Sequence, residues 1–314
     1  MVKLLAVLVL AGGSVNAESL LETFGNEENQ FQLEFVTIGN PENAPDFQND
    51  TLWTRPSSPY AVGSVSYVYN IGKHEISRDM VQKANQLGGL GISLGDLSFN
   101  GGNGVHRPAT SINFLEAARF VNWLNTSAGN HAAYKIDSNG NLQLWTPAEA
   151  GYNSGNLLRN DLAKFWVPSS NEWYKAAFGS PTGAWFDNAT GSDLAPEAVS
   201  GGNLGAIYRQ LSPSDITNAG GLSLWGTMGQ GGNALEWTET AMDGVNDSGS
   251  ENRELRGGGW EFGDISNSYR SGSSPQDAGY AVGFRVAMVP EPSSLSLFLA
   301  GGAVFAAARR RKLD

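Results

Sequence analysis

Forty of the 314 residues are glycine, about twice the usual share. Glycine weakens the interior of a helix or strand and favours turns with positive φ, so long helices cannot be the main scaffold. The same chain carries 9 Trp, 9 Tyr and 14 Phe. Many glycines beside many large rings imply a compact, loop-rich fold in which tight turns pack against aromatic faces. Hydrophobic residues reach 40%, enough for a substantial core. The length suits one large domain or two small ones and does not choose between them.

There is no cysteine, which excludes disulfides, thiol catalysis and cysteine-ligated metals. The formal charge is −11, and the body is more acidic still once its basic ends are set aside. Nucleic-acid affinity rests on neutralising phosphates with Lys and Arg, so no nucleic acid is expected as a partner. An acidic body can attract divalent cations, but ordinary solubility is the simpler reading.

The two ends carry sorting signals. Met1–Ala17 has Lys3, an apolar run Leu4–Leu10 and small residues up to Val15-Asn16-Ala17, the form of a signal peptide cleaved after Ala17. The other end reads Val289-Pro290-Glu291-Pro292, then an apolar Leu295–Ala308, then Arg309-Arg310-Arg311-Lys312. The apolar segment, counted generously as 293–308, is short against the ~20 residues of a full bilayer span. Its basic tail would stay on the cytoplasmic side. Tripeptide, apolar segment and terminal arginines together resemble the PEP-CTERM sorting signal of Gram-negative bacteria. That resemblance implies recognition of Pro290, Glu291 and Pro292 by an exosortase, membrane contact before processing, and release into the cell envelope or an extracellular polysaccharide. A plain membrane anchor is the alternative.

Within the body, residues 18–30 read as an N-terminal extension. Phe31–Gly39 alternates like a strand, and Gly63–Ile76 places Val65, Tyr67, Tyr69 and Ile71 on one face. Residues 87–104 read as a glycine-rich loop. Asn113 caps a helix over Phe114–Asn125, with Glu116 three residues on and Ala117, Phe120, Val121 and Leu124 in one stripe. Ser169 and Glu172 form a second capping box. Ser138-Asn139-Gly140 joins two short apolar runs as a hairpin turn. No repeat is visible, and the one convincing junction precedes Pro290.

Several segments line up in a telling order. They are Tyr69–Ser77, Pro108–Leu124, Val167–Trp173, Gly231-Gly232-Asn233-Ala234-Leu235-Glu236-Trp237-Thr238, Leu255-Arg256-Gly257-Gly258-Gly259-Trp260 and Val282-Gly283-Phe284-Arg285-Val286-Ala287. Over residues 31–288 the chain resembles the formylglycine-generating enzyme, or sulfatase-modifying factor, family. The resemblance implies a single α+β domain of the C-type-lectin-like kind, low in regular secondary structure, with residues 289–314 as the sorting tail. Oxidase members of that family use a cysteine pair after the Arg-Gly-Gly motif to bind copper. Here the segment is Trp260–Arg270 without a thiol, so no copper site and no formylglycine chemistry are expected.

The family also wraps calcium with the segment ending in Glu-Trp, and Gly232, Ala234 and Glu236 match those positions. Oxygen donors of that kind suit calcium. However, Gly229 stands where the family has Asn or Asp, and only Asn203 matches a second site. Glu236 could equally accept from backbone N–H groups or a buried arginine, so both readings stay open. Arg256 and Arg285 are expected to anchor buried networks with Glu75 or Glu236. Trp173, Trp237 and Trp260 are expected in the core. Trp185, Tyr208, Trp225 and Tyr269, in variable loops, are the candidates for exposed rings that stack on a ligand. His74, His106 and His131 have no metal-ligand spacing, and no Gly-x-Ser-x-Gly elbow supports a nucleophilic serine. Asp137–Asn141 lacks the glutamate of a calcium loop.

Three functions fit these observations. The preferred one is a noncatalytic exported module that binds a ligand, a glycan by preference. The second is an enzyme using the same pocket with cysteine-independent, metal-assisted oxidative chemistry. The third is a structural matrix protein without a specific ligand.

Overall fold

The computed structural model describes residues 20–49 and 59–290. Signal cleavage at Ala17, residues Glu291 and Pro292, and the apolar tail with its arginines lie outside the described residues. Among the described residues no helix is long and apolar enough to cross a membrane.

Two antiparallel-rich sheets and three short helices build the domain, as the α+β expectation requires. The first sheet holds β1 (Leu20–Phe24), β2 (Phe31–Ile38), β5 (Tyr69–Gly72), β13 (Ala287–Met288) and β8 (Phe165–Trp166), in that spatial order. The second holds β11 (Arg270–Ser273), β10 (Arg253–Arg256), β9 (Leu235–Ala241) and β12 (Val282–Gly283). Two small hairpins stand apart: β3 (Asp46–Asn49) with β4 (Pro59–Val62), and β6 (Lys135–Ile136) with β7 (Leu142–Gln143). The second hairpin turns at Ser138-Asn139-Gly140, with Gly140 at φ +83° as such a turn needs.

The strand expected over 31–39 is present as β2. The longer strand expected over 63–76 is not, because only Tyr69–Gly72 finds partners on both sides. Its alternation also fails at one point: Val65, Tyr69 and Ile71 are buried but Tyr67 is exposed. The extension expected over 18–30 is corrected from Leu20 onward. Leu20–Phe24 pairs with Phe31–Phe35 in the first sheet, and Phe24 packs in the core against Phe31 and Phe165.

Helix α2 (Phe114–Ser127) and helix α3 (Ser170–Phe178) begin where their caps predict. Asn113 Oδ1 accepts from the Glu116 N–H at 2.8 Å while Glu116 Oε2 accepts from the Asn113 N–H at 3.0 Å. Ser169 and Glu172 repeat the reciprocal pattern. Ala117, Phe120, Val121 and Leu124 are fully buried, the stripe that holds α2 to the sheet. Helix α1 (Arg78–Gly88) precedes the glycine-rich loop.

The last two core segments of the chain close the fold. Strand β13 lies between β5 and β8, hydrogen-bonded to both. The three motif tryptophans, Trp173, Trp237 and Trp260, are fully buried, as expected of them.

Candidate functional site

The segment that follows Arg256-Gly257-Gly258 is wrapped tightly against the domain. Gly257 has φ +97°, and a Cβ there would meet the Gln230 carbonyl at 2.7 Å and the Trp173 ring at 3.0 Å. Arg256 is fully buried, paired with Glu254, and donates to the Tyr60 hydroxyl at 3.0 Å. Arg270 donates to the other Glu254 oxygen at 2.9 Å. A cavity of about 280 Å³ opens between Tyr60, Ser170, Glu254 and Arg270. Glu254 and the two arginines form a buried positioning network, so Arg256 does anchor one, but its partner is Glu254 and not the expected Glu75 or Glu236.

Glu236 resolves toward its arginine reading. Its two oxygens accept from Arg285 at 2.6 Å each, and Oε2 also accepts from Trp173 Nε1 at 2.7 Å. The residues do not fit calcium at this carboxylate. A cation here would have to displace a guanidinium already bonded on both oxygens. The position lacking the family's oxygen is also closed: a Cβ on Gly229 would stand 3.0 Å from Glu75 Oε2. Gly232 and Ala234 instead serve packing, with the Ala234 N–H donating to Glu75 Oε1 at 2.9 Å. Among the described residues no group of three or more His, Asp or Glu is placed to hold a metal.

The four ring candidates do not form a platform. Tyr208 is buried, contrary to expectation, and its hydroxyl donates to the Pro196 carbonyl at 2.7 Å. Trp185 is half-buried against Tyr174, Trp225 against the main core, and Tyr269 against Phe262. Loop position alone did not reveal this, because the cover on each ring depends on how its loop folds back.

A site that sequence reasoning missed lies where the chain leaves the domain. A cavity of about 300 Å³ is lined by Tyr67, Asn153, Arg159, Asp161 and Trp166, with Val289 and Pro290 as one wall. That volume is at the low end of ligand cavities. Arg159 lies over the Trp166 ring at 4.5 Å. Behind it sit two fully buried carboxylates, Glu172 at 3.3 Å and Glu239 at 3.4 Å.

Each carboxylate is satisfied by further donors. Tyr67 donates to Glu172 at 2.7 Å, Tyr134 to Glu239 at 2.9 Å, and Asn156 to Glu239 at 2.7 Å. Burial pushes Glu239 up to about 7 even with Arg159 beside it, and Glu172 adds to the rise. Burial acts on Glu172 as well, but Arg159 and the hydroxyl and N–H donors outweigh it and hold that carboxyl below its usual range. Both acids are sealed behind Arg159, so the cavity itself presents the Tyr67 ring, the guanidinium edge, Asn153 and Asp161. Asn153 donates to Asp161 at 2.7 Å, fixing both side chains. The arrangement can stack on an apolar face and hydrogen-bond hydroxyl groups around its edge.

Comparison with known proteins agrees with this architecture. The Treponema denticola variable protein 1 superposes with a TM-score of 0.61 at 21% identity, covering 86% of this chain and 99% of that one. CarF gives 0.58 at 20% identity, over 82% and 99%. PvdO from Pseudomonas aeruginosa gives 0.54 at 15% identity, over 86% and 98%. At such identities the likeness concerns the fold. No curated protein sequence matches significantly. The sulfatase-modifying factor enzyme 1-like domain matches residues 65–289, and the PEP-CTERM protein-sorting motif matches residues 289–312. The chain therefore belongs to the sulfatase-modifying factor enzyme 1-like family, in a form that carries a PEP-CTERM sorting tail and lacks the thiols of formylglycine-generating oxidases.

Proposed function

We propose that the protein is an exported, noncatalytic surface module that binds a saccharide in the cavity beside Tyr67. Export rests on the sorting motif, which implies recognition by exosortase machinery. The saccharide reading rests on one observation above the others: the Tyr67 ring is exposed next to Arg159, Asn153 and Asp161. An exposed ring offers an apolar face with a polar edge, which suits the C–H face and hydroxyl rim of a sugar. The larger cavity of about 420 Å³, between Asn141, Gln143, Ser250 and Gln276, is lined by no aromatic ring. Trp185, Trp225 and Tyr269 serve as comparison positions, since each ring is part-covered.

The test is a polysaccharide binding panel on the mature chain in detergent, with and without chelator. Tyr67→Ala is expected to weaken binding about tenfold, equivalent to ~1.4 kcal/mol, while Trp225→Ala leaves it unchanged. Equal binding by native and Tyr67→Ala protein, or no saturable binding to any polysaccharide, would overturn the reading.

A further inference from the structure

The cavity and the sorting tail share a wall. Val289 and Pro290 line the cavity, and Pro290 is also the first residue of the sorting tripeptide. The exit point is fixed. The Val289 N–H donates to the Lys164 carbonyl at 3.0 Å, and its own carbonyl accepts from Asn70 at 3.4 Å. Just before it, β13 is held on both edges by β5 and β8. The chain cannot peel back from Val289 without opening the middle of a sheet.

Little chain then separates this rim from the apolar tail. Leu295 is five residues beyond Pro290, a reach of at most ~18 Å when fully extended. The rim is itself suited to a lipid boundary. Tyr67 is 42% exposed, Leu162 51% and Val289 38%, and Leu162 sits between the cavity-lining Asp161 and Ala163. Tyrosine favours the membrane–water interface, where its ring and hydroxyl are both accommodated.

We propose that the face bearing this cavity rests on a lipid surface while the tail is attached, and that releasing the tail opens the cavity to soluble polymer. The inference rests on the cavity reading above and on the tail seating in a bilayer. It makes processing a switch for binding: the anchored form is occluded, and the released form is competent.

The absence of cysteine makes a direct test straightforward. Asp161→Cys places a single thiol on the cavity wall, and Leu211→Cys places one at a site 89% exposed that does not line it. Each mature full chain is reconstituted in phosphatidylcholine vesicles and labelled with a membrane-impermeant maleimide. A second set carries a flexible Gly/Ser spacer of about twenty residues between Pro290 and Glu291. If the face is free only a tenth of the time, labelling falls about tenfold. The expected result is slow labelling at position 161 without the spacer, fast labelling with it, and equal labelling at position 211 in both. Asn153→Cys repeats the test at an independent wall position in case the first variant misfolds.

Equal rates at the cavity positions with and without the spacer would overturn the proposal. So would slow labelling at both the cavity and Leu211 positions, which would mean general contact, or slow labelling that persists in detergent, which would mean a second copy on this face. The labelling pattern does not depend on any saccharide. A binding panel that fails on the spacer-bearing chain as well therefore removes the ligand and leaves the orientation standing, and equal labelling rates remove the orientation and leave the ligand standing.

Discussion

Glu236 and Arg285, 49 residues apart, meet side-on through two hydrogen bonds of 2.6 Å in a part of the core that water does not reach. The guanidinium also donates to the carbonyls of Gly72 and Met228, so one side chain ties β5, β9 and the C-terminal motif together. Bidentate pairs of this kind fix geometry as well as charge.

Removing the arginine should therefore be far worse than removing calcium. Arg285→Met leaves the buried Glu236 carboxyl without its guanidinium partner, at an expected loss of ~3–5 kcal/mol. Chelator should leave the thermal midpoint unchanged. Urea and thermal denaturation with and without chelator check both statements, and a midpoint lowered by chelation would restore the calcium reading.

The second prediction concerns pH. Burial, with the charge of Glu236 adding to it, pushes Glu75 up to about 8 despite Arg285 and the Asn233 and Ala234 donors. Glu239 is raised to about 7. A folded carboxyl that keeps its proton after the unfolded one has lost it stabilises fully below the unfolded pKa. That contribution is lost as pH rises through the folded value. His74 works in the opposite sense. Burial lowers it to about 4, so its contribution is present above about 6.5 and is lost as pH falls toward 4. Between pH 6.5 and 7.5 the carboxyls dominate, and the urea midpoint should fall with rising pH. Glu75→Gln, which cannot ionise and keeps one carbonyl oxygen to accept from Asn233 or Ala234, should flatten that slope. A midpoint that rises across the interval would contradict the assignment.

Arg159 yields the third prediction. Its two carboxylate neighbours are fully buried, so Arg159→Met should destabilise the domain by ~3–5 kcal/mol. Asp161→Ala acts at the rim and should cost much less, while Tyr67→Ala, which also removes one donor from the buried Glu172, should fall between the two. Denaturation midpoints for the three variants separate the roles. If Arg159→Met were no more harmful than Tyr67→Ala, the buried triad would not be holding this side of the domain together.

What the sequence revealed depended on how local each signal was. The caps of α2 and α3 lie within four residues and were readable from Asn113, Glu116, Ser169 and Glu172. Helix α1 was not, because its reciprocal cap uses the Met80 sulfur, which accepts from the Ser77 N–H at 3.4 Å in place of a Glu or Gln side chain. The ordered motifs carried the fold, since each one marks a core contact. The Tyr67 cavity was not legible. It joins residues 67, 153–166 and 289–290, and only the pairing of β13 with β5 and β8 brings them together. The exposure of Trp185, Tyr208, Trp225 and Tyr269 was not legible either, because what covers each ring (Tyr174, the Pro196 carbonyl, the main core and Phe262) depends on how its loop folds back.

The last prediction tests why the motif around Glu236 carries its glycine. Gly232 sits at φ +105°, and a Cβ there would approach the Ile207 carbonyl oxygen to 2.3 Å. Both the torsion and the contact are with backbone, so no flexible side chain can move aside. The neighbouring bonds leave little room to adjust: the Gly232 N–H donates to the Gly257 carbonyl and the Asn233 N–H to that of Ile207. Gly232→Ala should then cost ~2–4 kcal/mol, more than the ~1 kcal/mol expected for Asn113→Ala, which removes only a helix cap. The same shift would disturb Asn233 and Ala234, whose donors hold Glu75. The pH slope of the urea midpoint should change in Gly232→Ala and stay unaltered in Asn113→Ala. Equal losses with identical slopes would mean that the close approach at Ile207 relaxes freely, and that Gly232 is not what positions the Glu75 carboxyl.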